Sequence, residues 1–174
     1  MASTQIRQIE EADYPLLEEF LYHAIFLPPG AAAPPREVIF EPEIFIYIED
    51  FGGRDDCGVV AQQNGRVVGA AWTRIIPGFG HVDDRTPELA VSVLPGCRGH
   101  MIGTMLMTRL FAVLRGRGYS QTSLAVQQKS GAVNFYQRLG YAIVNKSDAE
   151  FIMLKKLDDC SCQAPHRALC GGQN

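Results

Sequence analysis

Leu89-Ala90-Val91-Ser92-Val93-Leu94-Pro95-Gly96-Cys97-Arg98-Gly99-His100-Met101-Ile102-Gly103-Thr104 is the stretch on which the fold turns. Residues 89–94 form an apolar, partly β-branched run stopped by Pro95-Gly96, the pattern of a strand. From Ile102 to Arg115 the apolar residues recur every three to four positions, which predicts a helix with Met105, Leu106, Leu110, Val113 and Leu114 on its inner face. Gly116 and Gly118 end it. A helix start leaves several amide N–H groups without intrahelical partners, and its dipole favours negative charge. Gly99 and Gly103 allow the backbone to approach a bulky anion. The segment Arg98, Gly99, His100, Met101, Ile102, Gly103 and Thr104 therefore reads as a phosphate cradle. No Gly-Lys-Ser/Thr follows, so it is not a Walker loop. An ordinary glycine-bearing strand-to-helix turn has the same spacing.

Working outward, Gly58–Gln63 and Arg66–Trp72 flank Asn64-Gly65, the preferred two-residue hairpin turn, since both positions must tolerate positive φ. Thr4–Ile9 is a first strand. Leu17, Phe20, Leu21, Ala24 and Ile25 mark an amphipathic helix over 12–27, stopped by Pro28-Pro29-Gly30. Residues 36–50 predict two short helical pieces interrupted at Pro42. Residues 77–86 form a polar, glycine-containing loop. Downstream come a strand at 122–126, a short helix at 131–139 closed by Gly140, and strands at 141–144 and 151–157. The order β-α-α-β-β-β-α-β-α-β-β implies an α/β fold: a mixed sheet of six or seven strands with helices on both faces.

The chain has 174 residues, enough for one domain with a sizeable core; residues 1–157 read as that domain and 158–174 as a cysteine-containing tail. A net charge of -3 gives no basic footprint for nucleic acid. No apolar run is long enough for a membrane span and no secretory leader is evident, so the expected compartment is the cytosol. There Cys57 and Cys97 are expected to be free thiols. Cys160, Cys162, His166 and Cys170 are zinc-type ligands at a spacing tighter than usual, and no metal is expected.

Pro95-x-x-Arg98-Gly99-x-x-Ile102-Gly103 followed by an apolar helix resembles the coenzyme-binding motif of the GNAT acetyltransferase superfamily, with Met101 where that motif carries its middle glycine. Gly131-Ala132-Val133-Asn134-Phe135-Tyr136-Gln137-Arg138-Leu139-Gly140-Tyr141 is similar to a second motif of that family, in the expected order and with a strand between. The resemblance covers about residues 4–157. It implies a GNAT-like fold, acetyl-CoA as co-substrate, and transfer of the acetyl group to the amine of a small molecule or peptide. Backbone amides of the turn would hold the pyrophosphate; with a side chain at Met101, its φ is expected to stay negative. A branched side chain at Gly103 is expected to intrude on the pyrophosphate. Val91, Ser92 and Val93 would run beside the pantetheine arm like an added strand. Lys129, which is alternatively a solvated lysine, and Ala132 would complete the coenzyme contacts.

Acetyl transfer to an amine needs a base for the nucleophile and a proton for the departing thiolate. Tyr136 matches a tyrosine that the family uses as general acid; alternatively it is an aromatic anchor. Glu88, at the start of the central strand on the face of Ala90 and Ser92, is either the base, directly or through water, or a solvated strand-end carboxylate. His81, Asp83 and Asp84 are alternatives in the preceding loop, and His23 lies on the first helix. Cys97 beside Arg98 is either a reactive thiol or filler. The competing functional readings are a non-catalytic acyl-CoA-binding module of the same fold and a nucleotide-binding regulatory domain. The acceptor, expected to be walled by residues 12–52, and a homodimer remain open.

Overall fold

The structure, a computed structural model that describes residues 3–157, is built on a seven-stranded mixed sheet. Strand β1 is Thr4–Gln8, β2 Cys57–Gln63, β3 Arg66–Arg74, β4 Glu88–Val93, β5 Gln121–Gln127, β6 Ala142–Lys146 and β7 Glu150–Lys156. Their spatial order is β1-β2-β3-β4-β5-β7-β6. Neighbours are antiparallel except β4 and β5, which run parallel. The hairpin forms as its chemistry requires, with Asn64 at φ 49° and Gly65 at φ 80°.

Helices cover both faces. On one side α1 (Leu17–Ala24) buries Leu17, Phe20 and Leu21 against Val60, Ala70 and Trp72. On the other, α3 (Ile102–Gly116) packs Leu106, Leu110 and Leu114 against Val59, Ala61 and Ala71. Burial of both sheet faces explains why β2 and β3 read as continuous apolar runs rather than alternating ones. The short helix α4 (Ala132–Arg138) lies on the α3 side, where Phe135 and Tyr136 join that core. Residues 36–50 do form two short pieces, a 3-10 turn at Arg36–Phe40 and α2 at Pro42–Phe45. Pro42 starts the second piece, where its missing N–H costs nothing.

Two helical expectations are corrected. The segment expected as one helix over 12–27 opens as a 3-10 turn, Glu11–Leu16, with Pro15 inside it, and α1 ends at Ala24. Pro15 cannot donate to an α-helical ladder, so regular helix begins only beyond it. On α3, Met105 is 38% exposed, whereas Met107 and Phe111 are buried. The inner face is 102–106–110–114 with 107–111, two adjacent i, i+4 rows. The tail residues Cys160, Cys162, His166 and Cys170 lie outside the described residues.

Candidate active site

β4 and β5 share a single register pair, Glu88 with Ser123, and beyond it they diverge. The direction of the unused hydrogen-bonding groups follows from parity. Leu94 N–H donates to Val68 O on the β3 side, and Pro87 O accepts from Ser123 N–H on the β5 side. Strand alternation then turns the backbone groups of Leu89, Val91 and Val93 toward β5; the Leu89 N–H belongs to the Glu88–Ser123 bridge, and beyond it Val91 and the Val93 N–H face the gap. That gap belongs to a groove of about 1160 Å³ lined by β4, by Ala125, Val126 and Gln127 of β5, by α1 and α2, and by the starts of α3 and α4. An extended ligand can therefore pair with β4 as a missing neighbour would.

One end of the groove is the turn into α3. Met101 caps the helix, accepting from Met105 N–H at 3.0 Å, and no side chain caps the free amides of Ile102, Gly103 and Thr104. Gly99 stands at φ 81° and Met101 at φ 61°, both left-handed. The negative φ expected at Met101 is not what the chain adopts; this position takes the conformation that favours glycine, and the methionine carries the local backbone strain with its side chain 70% exposed. Arg98 does not reach out from the turn. Its Nε donates to Val93 O at 2.9 Å and its guanidinium approaches His23 O at 3.4 Å, so it ties the turn to β4 and to the end of α1. A Cβ built on Gly103 would stand 3.4 Å from the Phe135 ring, so the nearest obstacle at this position is α4 rather than the phosphate space.

Glu88 stands where β4 and β5 part. It is 2% exposed, so it is not a solvated strand-end group. Oε1 accepts from the Tyr47 hydroxyl and, at 2.7 Å, from Gly80 N–H. Oε2 is buried without a hydrogen-bond partner. The Tyr47 oxygen in turn accepts from Phe79 N–H at 2.9 Å. The loop can wrap the carboxylate this closely because of two glycines: a Cβ on Gly78 would stand 2.5 Å from Glu88 Oε2, and one on Gly80 would stand 2.5 Å from the Leu124 backbone carbon. Desolvation raises the Glu88 pKa above the ordinary carboxylate value, opposed by the bonds from Tyr47 and Gly80. Burial, then the neighbouring Glu88 charge, raises that of Tyr47.

Tyr136 lines the groove from α4, packed against Phe135 and edge-on to Tyr141. Burial pushes its phenol up to about 12, so it keeps its proton at neutral pH. Ala132 also lines the groove, its N–H held by Ser130 Oγ at 3.1 Å.

The groove brings together Glu88, Val91, Ser92, Val93, Arg98, Gly99, Met101, Ile102, Gly103, Thr104, Ala132 and Tyr136, all expected at the site. Two expected contacts fall outside it: Lys129 is exposed, with Ser130 on the lining instead, and His100 is exposed, its Nδ1 2.8 Å from Arg98 O. The Ser92 hydroxyl donates to Phe20 O at 2.6 Å, so it fastens α1 to the sheet. His81, Asp83 and Asp84 do not line the groove; His23 does, with Nε2 2.9 Å from Glu19. Cys57 and Cys97 are free thiols. Among the described residues no three His, Cys, Asp or Glu side chains gather as a metal site, and no helix is long and apolar enough to cross a membrane. Tyr47 was missed in the sequence, because its partnership with Glu88 spans 41 positions and no local pattern announces it. The Gly-Phe-Gly at 78–80 was the readable trace of that contact.

A parallel pair of strands splayed around a ligand groove, with an uncapped helix start at one end, is the architecture of coenzyme-A-dependent acyltransferases. The sequence model of the Acetyltransferase (GNAT) family matches residues 6–141, and the chain belongs to that family. Solved structures share the fold at low identity. The ribosomal-protein-S18-alanine N-acetyltransferase of Escherichia coli is 17% identical, with 92% of this chain and 98% of that one covered and a TM-score of 0.64. PaiA N-acetyltransferase of Thermoplasma acidophilum, in complex with coenzyme A, is 18% identical over 88% and 99% of the chains, with a TM-score of 0.63. YncA of Salmonella typhimurium, a putative acetyltransferase with its cofactor acetyl-CoA, is 20% identical over 90% and 95%, with a TM-score of 0.62. No curated protein sequence matches the chain.

Proposed function

We propose that this chain transfers the acetyl group of acetyl-CoA to an amine, with Glu88 as base and Tyr136 as general acid. One observation carries the reading: a buried carboxylate with one unpartnered oxygen stands where β4 and β5 part, in the same groove as the uncapped start of α3. The residues present fit the coenzyme. The free amides of Ile102, Gly103 and Thr104 suit a pyrophosphate, and the open edge of β4 at Val91 and the Val93 N–H suits the amide groups of a pantetheine arm.

Bound acetyl-CoA supplies the acyl group already activated as a thioester. The protein's part is position and proton management. Glu88 Oε1 is held by Tyr47 and Gly80, which leaves Oε2 to take a proton from the incoming ammonium. Desolvation raises the proton affinity of that carboxylate and so matches it better to an amine. Tyr136, protonated at working pH, gives its proton to the departing sulfur and regains one from solvent. Overall, an ammonium and acetyl-CoA become an N-acetyl amide, the coenzyme thiol and one proton.

The test is thiol release from acetyl-CoA with and without amines, comparing wild type with Glu88→Gln and Tyr136→Phe. Amine-dependent release that falls in both variants is expected. Tight coenzyme binding with no amine-dependent release would instead make the chain an acyl-CoA-binding module.

A further inference from the structure

The acceptor end of the groove differs in chemistry from the coenzyme end. At Glu88 its walls are Ile44 on α2 and Phe79 on the glycine-flanked loop, both beside Tyr47. Phe79 is 44% exposed, a large apolar side chain that borders the groove without joining a core. Phe79 stacks on the buried Tyr47, ring centroids 6.3 Å apart at 15°, and this fixes its ring beside the carboxylate.

Charge at this end has one sign. Glu88 and Glu150 both line the groove, and Glu88 presents a buried oxygen with no partner. The cationic side chains on the lining are placed elsewhere or already engaged. Arg98 is folded onto Val93 O in the phosphate turn, Arg138 is on α4 across the sheet from α1 and α2, and His23 is 2.9 Å from Glu19. A ligand ammonium is matched here by Glu88. Among the described side chains that line the groove, a ligand carboxylate finds no free counter-ion at Glu88, and it meets like charge in a poorly solvated place; His81, behind the lining, faces Asp84 at 3.6 Å.

We propose that the acceptor is a primary amine carried on an apolar, uncharged body, an alkyl- or arylalkylamine without a carboxylate, seated against Ile44 and Phe79 with its nitrogen at Glu88. The proposal rests on the acyl-transfer reading above. It excludes free amino acids, whose carboxylate sits one carbon from the nitrogen, and polyamines, whose second charge would be buried on apolar walls.

The experiment compares phenethylamine, phenylalanine and spermidine as acceptors with saturating acetyl-CoA. Like-charge contact in such a site discriminates strongly, so kcat/KM for phenethylamine should exceed that for phenylalanine by about 100-fold or more. Phe79→Lys, at an exposed position beside Glu88, supplies the missing counter-ion. It should narrow that ratio by at least about tenfold while leaving acetyl-CoA affinity unchanged. Equal or better turnover of phenylalanine or spermidine overturns the proposal and leaves acyl transfer standing. If no amine is acetylated, calorimetry on the CoA-loaded chain decides. Saturable binding of phenethylamine but not phenylalanine upholds the subsite and places the failure in the acyl-transfer reading. Absence of that preference overturns the proposal.

Discussion

At Glu88 the demands of folding and of chemistry pull in opposite directions. Its folded pKa is raised, so the native state binds the proton more tightly than the unfolded chain does. Stability from this group is therefore lost as pH rises through the carboxylate range and stays reduced at neutral pH. Glu88→Gln removes the ionisation, and we expect it to raise the neutral-pH melting temperature, with the gain vanishing below about pH 4. Turnover should fall roughly 10²–10⁴-fold in the same variant. Tyr47 acts on this balance because its hydroxyl opposes the desolvation. Tyr47→Phe should move the acid limb of the kcat/KM profile to higher pH, since the base then holds its proton longer; a merely structural tyrosine would change stability and leave the limb in place. Tyr136→Phe should lower turnover by about 10²–10⁴-fold at saturating donor with coenzyme affinity little changed. Burial alone acts on its hydroxyl, with no hydrogen bond contributing, so its loss should leave the melting temperature almost untouched. Met101→Gly should stabilise by about 0.5–1 kcal/mol, the relief of a left-handed side chain less the entropy that glycine adds to the unfolded chain.

At the level of elements, local chemistry made some features readable and tertiary contacts hid others. The Asn64-Gly65 hairpin and the glycine-marked end of α3 were legible because each is decided within a few residues. The phase of α3 was not. Apolar residues surround that helix, from Ile102 through Met105, Leu106 and Met107 to Leu114, and only the sheet beneath decides which stripe is buried. Met107→Ala should accordingly cost about 2–5 kcal/mol in urea denaturation, while Met105→Ala should stay within about 1 kcal/mol. The site divides in the same way. The turn into α3 and the place of Tyr136 on α4 were readable from two short motifs, and the face of Glu88 from strand alternation, but not its burial. The bonds that hold Glu88 come from Tyr47 and Gly80, brought to it by loops whose sequence carries no period.

For the molecule as a whole, coenzyme binding should touch both halves of the sheet at once. Free CoA and acetyl-CoA should both raise the melting temperature, by amounts equivalent to about 2.7 kcal/mol at a hundred times Kd. No shift with either ligand would place the site elsewhere.

The single rung between β4 and β5 carries a mechanical consequence. β1 to β4 form one slab of the sheet and β5, β7 and β6 another, joined within it at Glu88 and Ser123, while beneath the seam Phe111 of α3 packs against Tyr141 in a shared core. Beyond that one rung the facing edges of β4 and β5 are tied by the core alone and not to each other, and the carboxylate stands where they part. A ligand strand laid along Val91 and Val93 would splice the slabs together. Amide hydrogen exchange at Val91 and Val93 should then slow sharply with CoA, while the Asn64-Gly65 hairpin, remote from the seam, should exchange as before.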